Sequence, residues 1–226
     1  MKPYSRSAKE RINKMIDKIK KTGIIPVVKI DDAAKALNIA DALFAGGIDI
    51  VEITFRTDCA AEAIKIIKQN RPEMTIGAGT VLTSEQVESA KNAGADFIVS
   101  PGFNKKTAEA CREYGLFYLP GAITPTEIEA ALESDIKTVK FFPAEAAGGI
   151  KMIKALAAPY SFLTFVPTGG VDLSNIADYL SFSKVAAVGG SFMVGENLIK
   201  ENRYEEITKI SAETVDLIAK LRSGQK

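Results

Sequence analysis

The segment Val51-Glu52-Ile53-Thr54-Phe55-Arg56 places an acid, a hydroxyl and a base at every second position, between apolar residues. Side chains alternate between the two faces of a β-strand, so Glu52, Thr54 and Arg56 are predicted to share one face, opposite the apolar set. Burying an acid and a base is costly unless the two pair or take part in chemistry. The segment therefore predicts either a structural ion pair or an acid and a base that serve a cavity.

A lysine lies between bulky apolar neighbours in Thr138-Val139-Lys140-Phe141-Phe142-Pro143. With its two neighbours on the outer face of a strand, Lys140 is predicted to point toward the same cavity as Glu52. Burial disfavours the charged form of an amine, and an uncharged lysine amine attacks ketones. The alternative is a lysine whose charged end reaches solvent. Lys29, in the first apolar run of the chain, carries the same ambiguity and is a rival nucleophile.

Two glycine pairs follow apolar runs late in the chain, in Pro167-Thr168-Gly169-Gly170 and in Gly189-Gly190-Ser191. Glycine pairs also occur as ordinary turns. After the seventh and eighth strands of a parallel barrel, however, backbone N–H groups commonly bind a phosphate. A ketone-activating amine, an acid, an arginine and a phosphate loop together indicate Schiff-base chemistry on a phosphorylated keto acid.

Histidine is absent from all 226 residues. Its absence excludes serine–histidine and cysteine–histidine nucleophiles, histidine acid–base catalysis and nearly every catalytic zinc site. Any catalysis must use lysine, carboxylates, hydroxyls, arginine and backbone amides. We therefore expect neither a metal nor a cofactor.

The 29 basic and 28 acidic residues leave a net charge of +1, so we expect no nucleic-acid or membrane partner. No apolar run approaches the length of a membrane span, and no apolar signal core follows the basic first residues. The two cysteines are too few for a disulfide framework. These features predict a soluble, cytoplasmic protein.

Eight short apolar runs recur about 20–26 residues apart, and each gap holds one helical pattern. That count and length predict an α/β fold, a (β/α)8 TIM barrel in one domain over residues 1–226. A doubly wound sheet is the rival, but its glycine-rich turn is incomplete in Gly77-Ala78-Gly79-Thr80-Val81-Leu82. The predicted strands are Ile24–Ile30, Asp49–Thr54, Thr75–Ala78, Phe97–Ser100, Phe117–Pro120, Thr138–Phe142, Thr164–Pro167 and Val185–Gly189.

Helices are predicted at both ends of the chain. An extra N-terminal helix, over about residues 7–21, is expected to cover the bottom of the barrel. Thr124-Pro125-Thr126-Glu127 has the pattern of a capping box, as does Thr83-Ser84-Glu85-Gln86. The apolar stripes of the two terminal helices comprise Ile12, Met15, Ile16 and Ile19, and Ile207, Ile210, Thr214, Leu217 and Leu221.

In their order and strand positions these motifs resemble the 2-keto-3-deoxy-6-phosphogluconate (KDPG) and 4-hydroxy-2-oxoglutarate (KHG) aldolases, from about Gly23 to Val194. Those enzymes are class I lyases on a (β/α)8 barrel. The resemblance rests on Glu52-Ile-Thr-Phe-Arg56, Gly77-Ala-Gly-Thr80-Val, Ser100-Pro101-Gly102, Pro120-Gly121, Lys140-Phe-Phe-Pro-Ala-Glu145, Pro167-Thr-Gly-Gly170 and Gly189-Gly-Ser191.

The resemblance implies a role for each matching residue. Lys140 is similar to the Schiff-base lysine and Glu52 to the general acid and base. Arg56 and Thr80 match the groups that hold the substrate carboxylate. Pro101 and Phe142 match the wall around the pyruvyl group, and the phosphate end is matched by Thr168, Gly169, Gly170, Gly190 and Ser191.

The resemblance also implies a homotrimer and cleavage of a keto acid phosphate to pyruvate and D-glyceraldehyde 3-phosphate. It leaves several readings open: the galactonate epimer as substrate, unphosphorylated 4-hydroxy-2-oxoglutarate, a phosphate-binding barrel enzyme of another kind, or a barrel without catalysis. Lys29 could support the phosphate or neutralise the mouth of the barrel.

Overall fold

A computed structural model describes residues 6–223, in which parallel strands alternate with helices. The strands are β1 (Ile24–Val28), β2 (Ile50–Thr54), β3 (Thr75–Gly79), β4 (Phe97–Val99), β5 (Phe117–Leu119), β6 (Thr138–Phe141), β7 (Thr164–Pro167) and β8 (Val188–Gly190). The helices are α1 (Arg6–Thr22), α2 (Ala36–Ala45), α3 (Ala60–Asn70), α4 (Ser84–Ala93), α5 (Lys105–Tyr114), α6 (Pro125–Glu133), α7 (Gly149–Ala157), α8 (Ile176–Leu180), α9 (Glu196–Lys200) and α10 (Tyr204–Ser223).

Six strands form one parallel sheet in the order β5-β4-β3-β2-β1-β8, and β6 pairs with β7 in a second. Isolated parallel bridges link the sheets on both sides, Gly121 with Lys140 on one and Thr168 with Gly189 on the other. The predicted α/β fold with a parallel sheet is confirmed. It places the carboxyl ends of the strands on one side of the molecule, where such folds bind ligands.

Four of the eight strands, β1, β4, β5 and β6, end one or two residues earlier than the apolar runs predict, and the prediction for the eighth was wrong by three residues at its start. Val185 makes only an isolated bridge to Phe165, whereas regular pairing with β1 begins at Val188. The apolar run continues through this segment because its residues are buried whether or not they are paired. The apolar run therefore predicts which residues are buried, but it places the start of the strand too early.

Local sequence sets the helix starts that face the carboxyl ends of the strands. At α6 the Thr124 side chain accepts the N–H of Glu127, and the Glu127 carboxylate accepts the N–H of Thr124, which completes the predicted capping box. At α4, Thr83 accepts from Gln86, but the Gln86 side chain binds the N–H of Leu82 instead. Each such cap satisfies helix N–H groups that would otherwise lack a partner, and is worth about 1 kcal/mol.

The helix α1 packs at the amino end of the strands. In this helix Ile19 is buried, and Lys18 pairs with Asp49 just before β2. Arg222 of α10 donates to backbone carbonyls in the last turn of α1. A groove of about 240 Å³ runs between α1 and the first residues of β5 and β6. Among residues 6–223, no helix has the length and apolar character to cross a membrane.

Candidate active site

Lys140 and Glu52 face each other across the space between the two sheets. The Nζ atom of Lys140 lies 3.4 Å from Oε1 of Glu52, and the two side chains are only 7% and 3% exposed. Lys140 belongs to β6 and Glu52 to β2, strands that do not pair in either sheet. The predicted meeting of this amine and this acid is confirmed in its geometry.

The apolar neighbours in each strand turn these side chains inward. Val139 and Phe141 are fully buried on the other face of β6, as Ile53 is on the other face of β2. If β6 were turned over, Lys140 would take the place of Val139 and Phe141 in the apolar layer, and an ammonium group would be buried there. Removing one member of a buried ion pair costs about 3–5 kcal/mol, so Lys140 and Glu52 depend on each other.

Thr54 and Arg56 continue the polar series of β2, but the strand ends at Thr54. Arg56 therefore lies past the carboxyl end of the strand and is exposed. Its Nε donates to Thr54 Oγ1 at 3.2 Å, and the buried Thr54 hydroxyl donates to the carbonyl of Val28 at 3.1 Å. Thr54, to which the sequence assigns no role, thus holds the guanidinium at the mouth of the site.

Lys29 lies in the loop after β1 and pairs with acids other than Glu52. Its Nζ is 3.1 Å from a carboxylate oxygen of Asp31 and 3.9 Å from one of Glu196, and its side chain is 31% exposed. Its ammonium group thus pairs with two acids that are not part of the Lys140–Glu52 contact. Lys140, and not Lys29, is therefore the lysine that the structure places against Glu52.

Thr80 and Pro101 follow the next two strands. Thr80 has a φ of +55°, a left-handed conformation that a β-branched residue rarely adopts and that is common at functional sites. Pro101 is exposed in a turn that the Ser100 hydroxyl fastens by donating to the carbonyl of Gly102 at 2.6 Å. Tyr118 contacts the same hydroxyl at 2.6 Å, and burial raises the pKa of Tyr118 to about 12.

The aromatic ring of Phe142 connects the lysine to the first glycine pair. Lys140 Nζ lies 5.3 Å from the centre of this ring, and a Cβ at Gly169 would lie 3.4 Å from its edge. Gly169 and Gly170 both have left-handed φ values, +98° and +79°, which only glycine adopts without strain. Their turn therefore approaches Phe142 closely and leaves its backbone free of side chains.

The second glycine segment lies beside the first because Thr168 pairs with Gly189. Gly190 is the buried last residue of β8, and Ser191 follows it, exposed. The predicted phosphate residues thus lie at the carboxyl ends of two adjacent strands, β7 and β8. Glu145, which the sequence leaves without a role, packs against Gly170 and accepts a hydrogen bond from Tyr179.

The chain is similar to known proteins over most of its length. The family model of the KDPG and KHG aldolases matches residues 15–210. A 2-dehydro-3-deoxy-phosphogluconate aldolase of Haemophilus influenzae is 48% identical over 90% of this chain and 96% of its own. One from Treponema pallidum is 45% identical over 90% of this chain and 97% of its own. A crystal structure of KDPG aldolase from Legionella pneumophila, with pyruvate captured at low pH as a covalent carbinolamine intermediate, superimposes with a TM-score of 0.84 at 38% identity, over 86% of this chain and 95% of the other.

Proposed function

This chain belongs to the KDPG and KHG aldolase family and is a carbon–carbon lyase, and we propose that it cleaves 2-dehydro-3-deoxy-6-phosphogluconate to pyruvate and D-glyceraldehyde 3-phosphate with Lys140 as the Schiff-base nucleophile. The observation that carries this proposal is the buried contact of 3.4 Å between Lys140 and Glu52. The relatives with this activity cover nearly the whole chain.

Covalent catalysis begins when the amine of Lys140 attacks the C2 ketone and forms a carbinolamine. Loss of water from the carbinolamine gives an iminium, which attracts electrons more strongly than the ketone did. Glu52 lies within reach of this nitrogen and can move protons in these steps. The amine must lose its own proton before it attacks, and Glu52 is its nearest carboxylate in the described chain.

Bond cleavage then uses Glu52 as a base. Its carboxylate takes the proton of the C4 hydroxyl, directly or through one water, and the C3–C4 electron pair moves to the iminium to form an enamine. Glyceraldehyde 3-phosphate leaves as the C4 carbonyl forms. The enamine takes a proton at C3, and water hydrolyses the resulting iminium to release pyruvate and free Lys140.

The two charged ends of this substrate suit two groups of residues at the edge of the site, a carboxylate-binding rim and a phosphate-binding rim. Arg56 can bind the carboxylate with paired, charge-assisted hydrogen bonds, and Thr80 lies on the adjacent strand end. Pro101 and Phe142 form walls for the pyruvyl carbons. The phosphate lies at the β7 and β8 ends, against Thr168 and Ser191 and the backbone N–H groups of Gly169, Gly170 and Gly190.

Thr54→Val tests whether the Thr54 hydroxyl positions Arg56. Valine keeps the shape but removes the acceptor of the Arg56 Nε, and a hydrogen bond to a charged group is worth about 1.5–3 kcal/mol. We expect KM for the substrate, and the pyruvate concentration that half-saturates borohydride trapping, to rise about 10-fold. The kcat should change less, since Lys140 and Glu52 are untouched.

Thr57→Val is the matched control for this measurement. The Thr57 hydroxyl likewise donates to a backbone carbonyl, that of Ile30 just after β1, but it does not bind Arg56. We expect its KM to stay near that of the parent. Equal increases in KM for the two variants would show that loop stability, and not the position of Arg56, is responsible.

The substrate is tested by a coupled assay in which lactate dehydrogenase reports pyruvate. We expect kcat/KM to be highest for 2-dehydro-3-deoxy-6-phosphogluconate and lower for unphosphorylated 4-hydroxy-2-oxoglutarate, which has no phosphate for the glycine turns. Faster cleavage of the galactonate epimer would reassign the physiological substrate within the family. No pyruvate from any of the three would refute the proposed activity.

We also propose that the eight strands close into a single (β/α)8 barrel domain, with α1 as an extra helix at its amino end. The bridges at both junctions between the two sheets support closure. The homotrimer and the cytoplasmic location stay predictions. Exposed Leu82 and Leu173, on the loops after β3 and β7, are apolar surface of the kind that a subunit contact buries.

A further inference from the structure

Gly79 is the last residue of β3 and lies beside the proposed acid and base. It pairs with Thr54 in the neighbouring strand, and its carbonyl accepts the N–H of Phe55 at 2.7 Å. Its φ is not left-handed, so the backbone at this position accepts any L-residue. Backbone conformation therefore does not explain why a glycine stands here.

The Glu52 side chain occupies the space that a side chain at position 79 would need. A Cβ on Gly79 would lie 2.0 Å from Oε1 of Glu52 and 2.6 Å from both its Cδ and its Cγ. Oε1 is the same atom that contacts Lys140 Nζ at 3.4 Å. Glu52 thus lies flat against the bare backbone of Gly79 with its carboxylate directed at the lysine.

A Cβ at two other glycines, one in a strand and one just after a strand, would meet different obstacles. At Gly77 a Cβ would clash with the ring of Phe97, a fully buried core side chain, and at Gly121 it would clash with the backbone carbonyl of Pro101. At Gly79 the nearest atoms all belong to the outer part of one flexible side chain. The fold can relieve that clash by rotating Glu52, but only by moving the carboxylate away from its present place.

We propose that Gly79 is a positioning residue: because it has no side chain, it leaves free the space in which the Glu52 carboxylate lies against Lys140. This inference rests on the proposed function, since it requires Glu52 to be the acid and base. Gly79 does not act on the substrate, so its effect is on proton transfer and not on carboxylate or phosphate binding.

Gly79→Ala should separate turnover from binding. We expect kcat for cleavage to fall about 10–100-fold, the cost of misplacing a catalytic group by about 1 Å. KM should change little, and borohydride with pyruvate should still label Lys140. Gly195→Ala is the matched control, because a Cβ there meets nothing within 4 Å and its φ is −56°; its kcat should be unchanged.

A double-mutant cycle distinguishes positioning from a general structural effect. If Gly79 acts only through Glu52, adding Gly79→Ala to Glu52→Gln should lower kcat by less than about 2-fold. A further loss as large as that in the parent background would overturn the proposal, and so would full kcat in Gly79→Ala while Glu52→Gln is impaired. Full kcat in Glu52→Gln itself would instead refute the acid–base role of Glu52 in the proposed function, on which this inference rests.

If Gly79→Ala fails to fold, removing the obstructing Glu52 side chain tests whether Glu52 is the cause. With Glu52→Ala in place, the added Gly79→Ala has nothing to strike, so the pair should melt at or above the temperature of Glu52→Ala alone. A lower melting temperature for the pair would show that position 79 is crowded by something other than Glu52, which contradicts the proposal.

Discussion

Lys140→Met should abolish cleavage, with kcat reduced by at least about 10⁴-fold, the order of loss seen when an enzyme loses its covalent nucleophile. Methionine retains the apolar stem of the lysine and fits the same space between strands, but it cannot form an iminium. The C3–C4 electron pair then has no acceptor. Treatment with pyruvate and borohydride, followed by peptide mapping by mass spectrometry, should find an adduct in the parent protein at Lys140 and none in the variant.

Two companion variants make this result interpretable. Lys29→Met should still yield the adduct on Lys140, because the Lys29 ammonium is held by Asp31 and Glu196. Lys140→Met also leaves Glu52 buried without its partner, which can cost about 3–5 kcal/mol of stability. Lys140→Met/Glu52→Gln removes both charges and should melt above the single variant. An adduct on Lys29 in the parent, or turnover by folded Lys140→Met, would end the assignment.

Alternation along the strands is why the sequence could predict the centre of the site. In β2 and β6 every second residue is apolar and buried, so the polar residues Glu52 and Lys140 had only one face left to occupy. Parallel connection of the strands then places both at the same end of the fold. The sequence could therefore predict that Glu52 and Lys140 face the same cavity. Their contact at 3.4 Å, between two strands that do not pair, could come only from the structure.

The rim was harder to predict because alternation stops where the strand does. Arg56 continues the period of Glu52 and Thr54 in the sequence, yet β2 ends at Thr54 and the arginine emerges on the surface. Its position is set instead by a hydrogen bond to Thr54. The left-handed backbone conformation of Thr80 likewise could not be predicted from the sequence, since threonine is among the residues that disfavour this conformation.

Gly79 shows a different limit of sequence reasoning. The strand predicted over Thr75–Ala78 extends one residue further in the structure, so that Gly77 and Gly79 both lie in β3. Each of the two glycines is explained by the side chain that lies against it, Phe97 for Gly77 and Glu52 for Gly79. The side chain that lies against each glycine comes from a neighbouring strand, so only the structure can explain why a glycine is needed there.

Glu52→Gln should separate formation of the covalent intermediate from turnover. Glutamine has nearly the same shape and can still accept a hydrogen bond from Lys140, but it cannot take up a proton. We expect kcat for cleavage to fall by about 10²–10⁴-fold, the usual contribution of a general acid or base. Borohydride trapping of pyruvate on Lys140 should persist, because the amine and the carboxylate-binding rim remain.

The exchange of pyruvate methyl protons with deuterated solvent tests the same residue without the aldehyde product. Enamine formation removes a proton from C3, so exchange should slow in Glu52→Gln in parallel with cleavage. Glu127→Gln is the matched control: it makes the same chemical change in a capping box, where glutamine retains the bond, and both rates should be unchanged. Unchanged cleavage and exchange in Glu52→Gln would assign the proton transfers to another group and leave Glu52 only a partner that keeps Lys140 inside the fold.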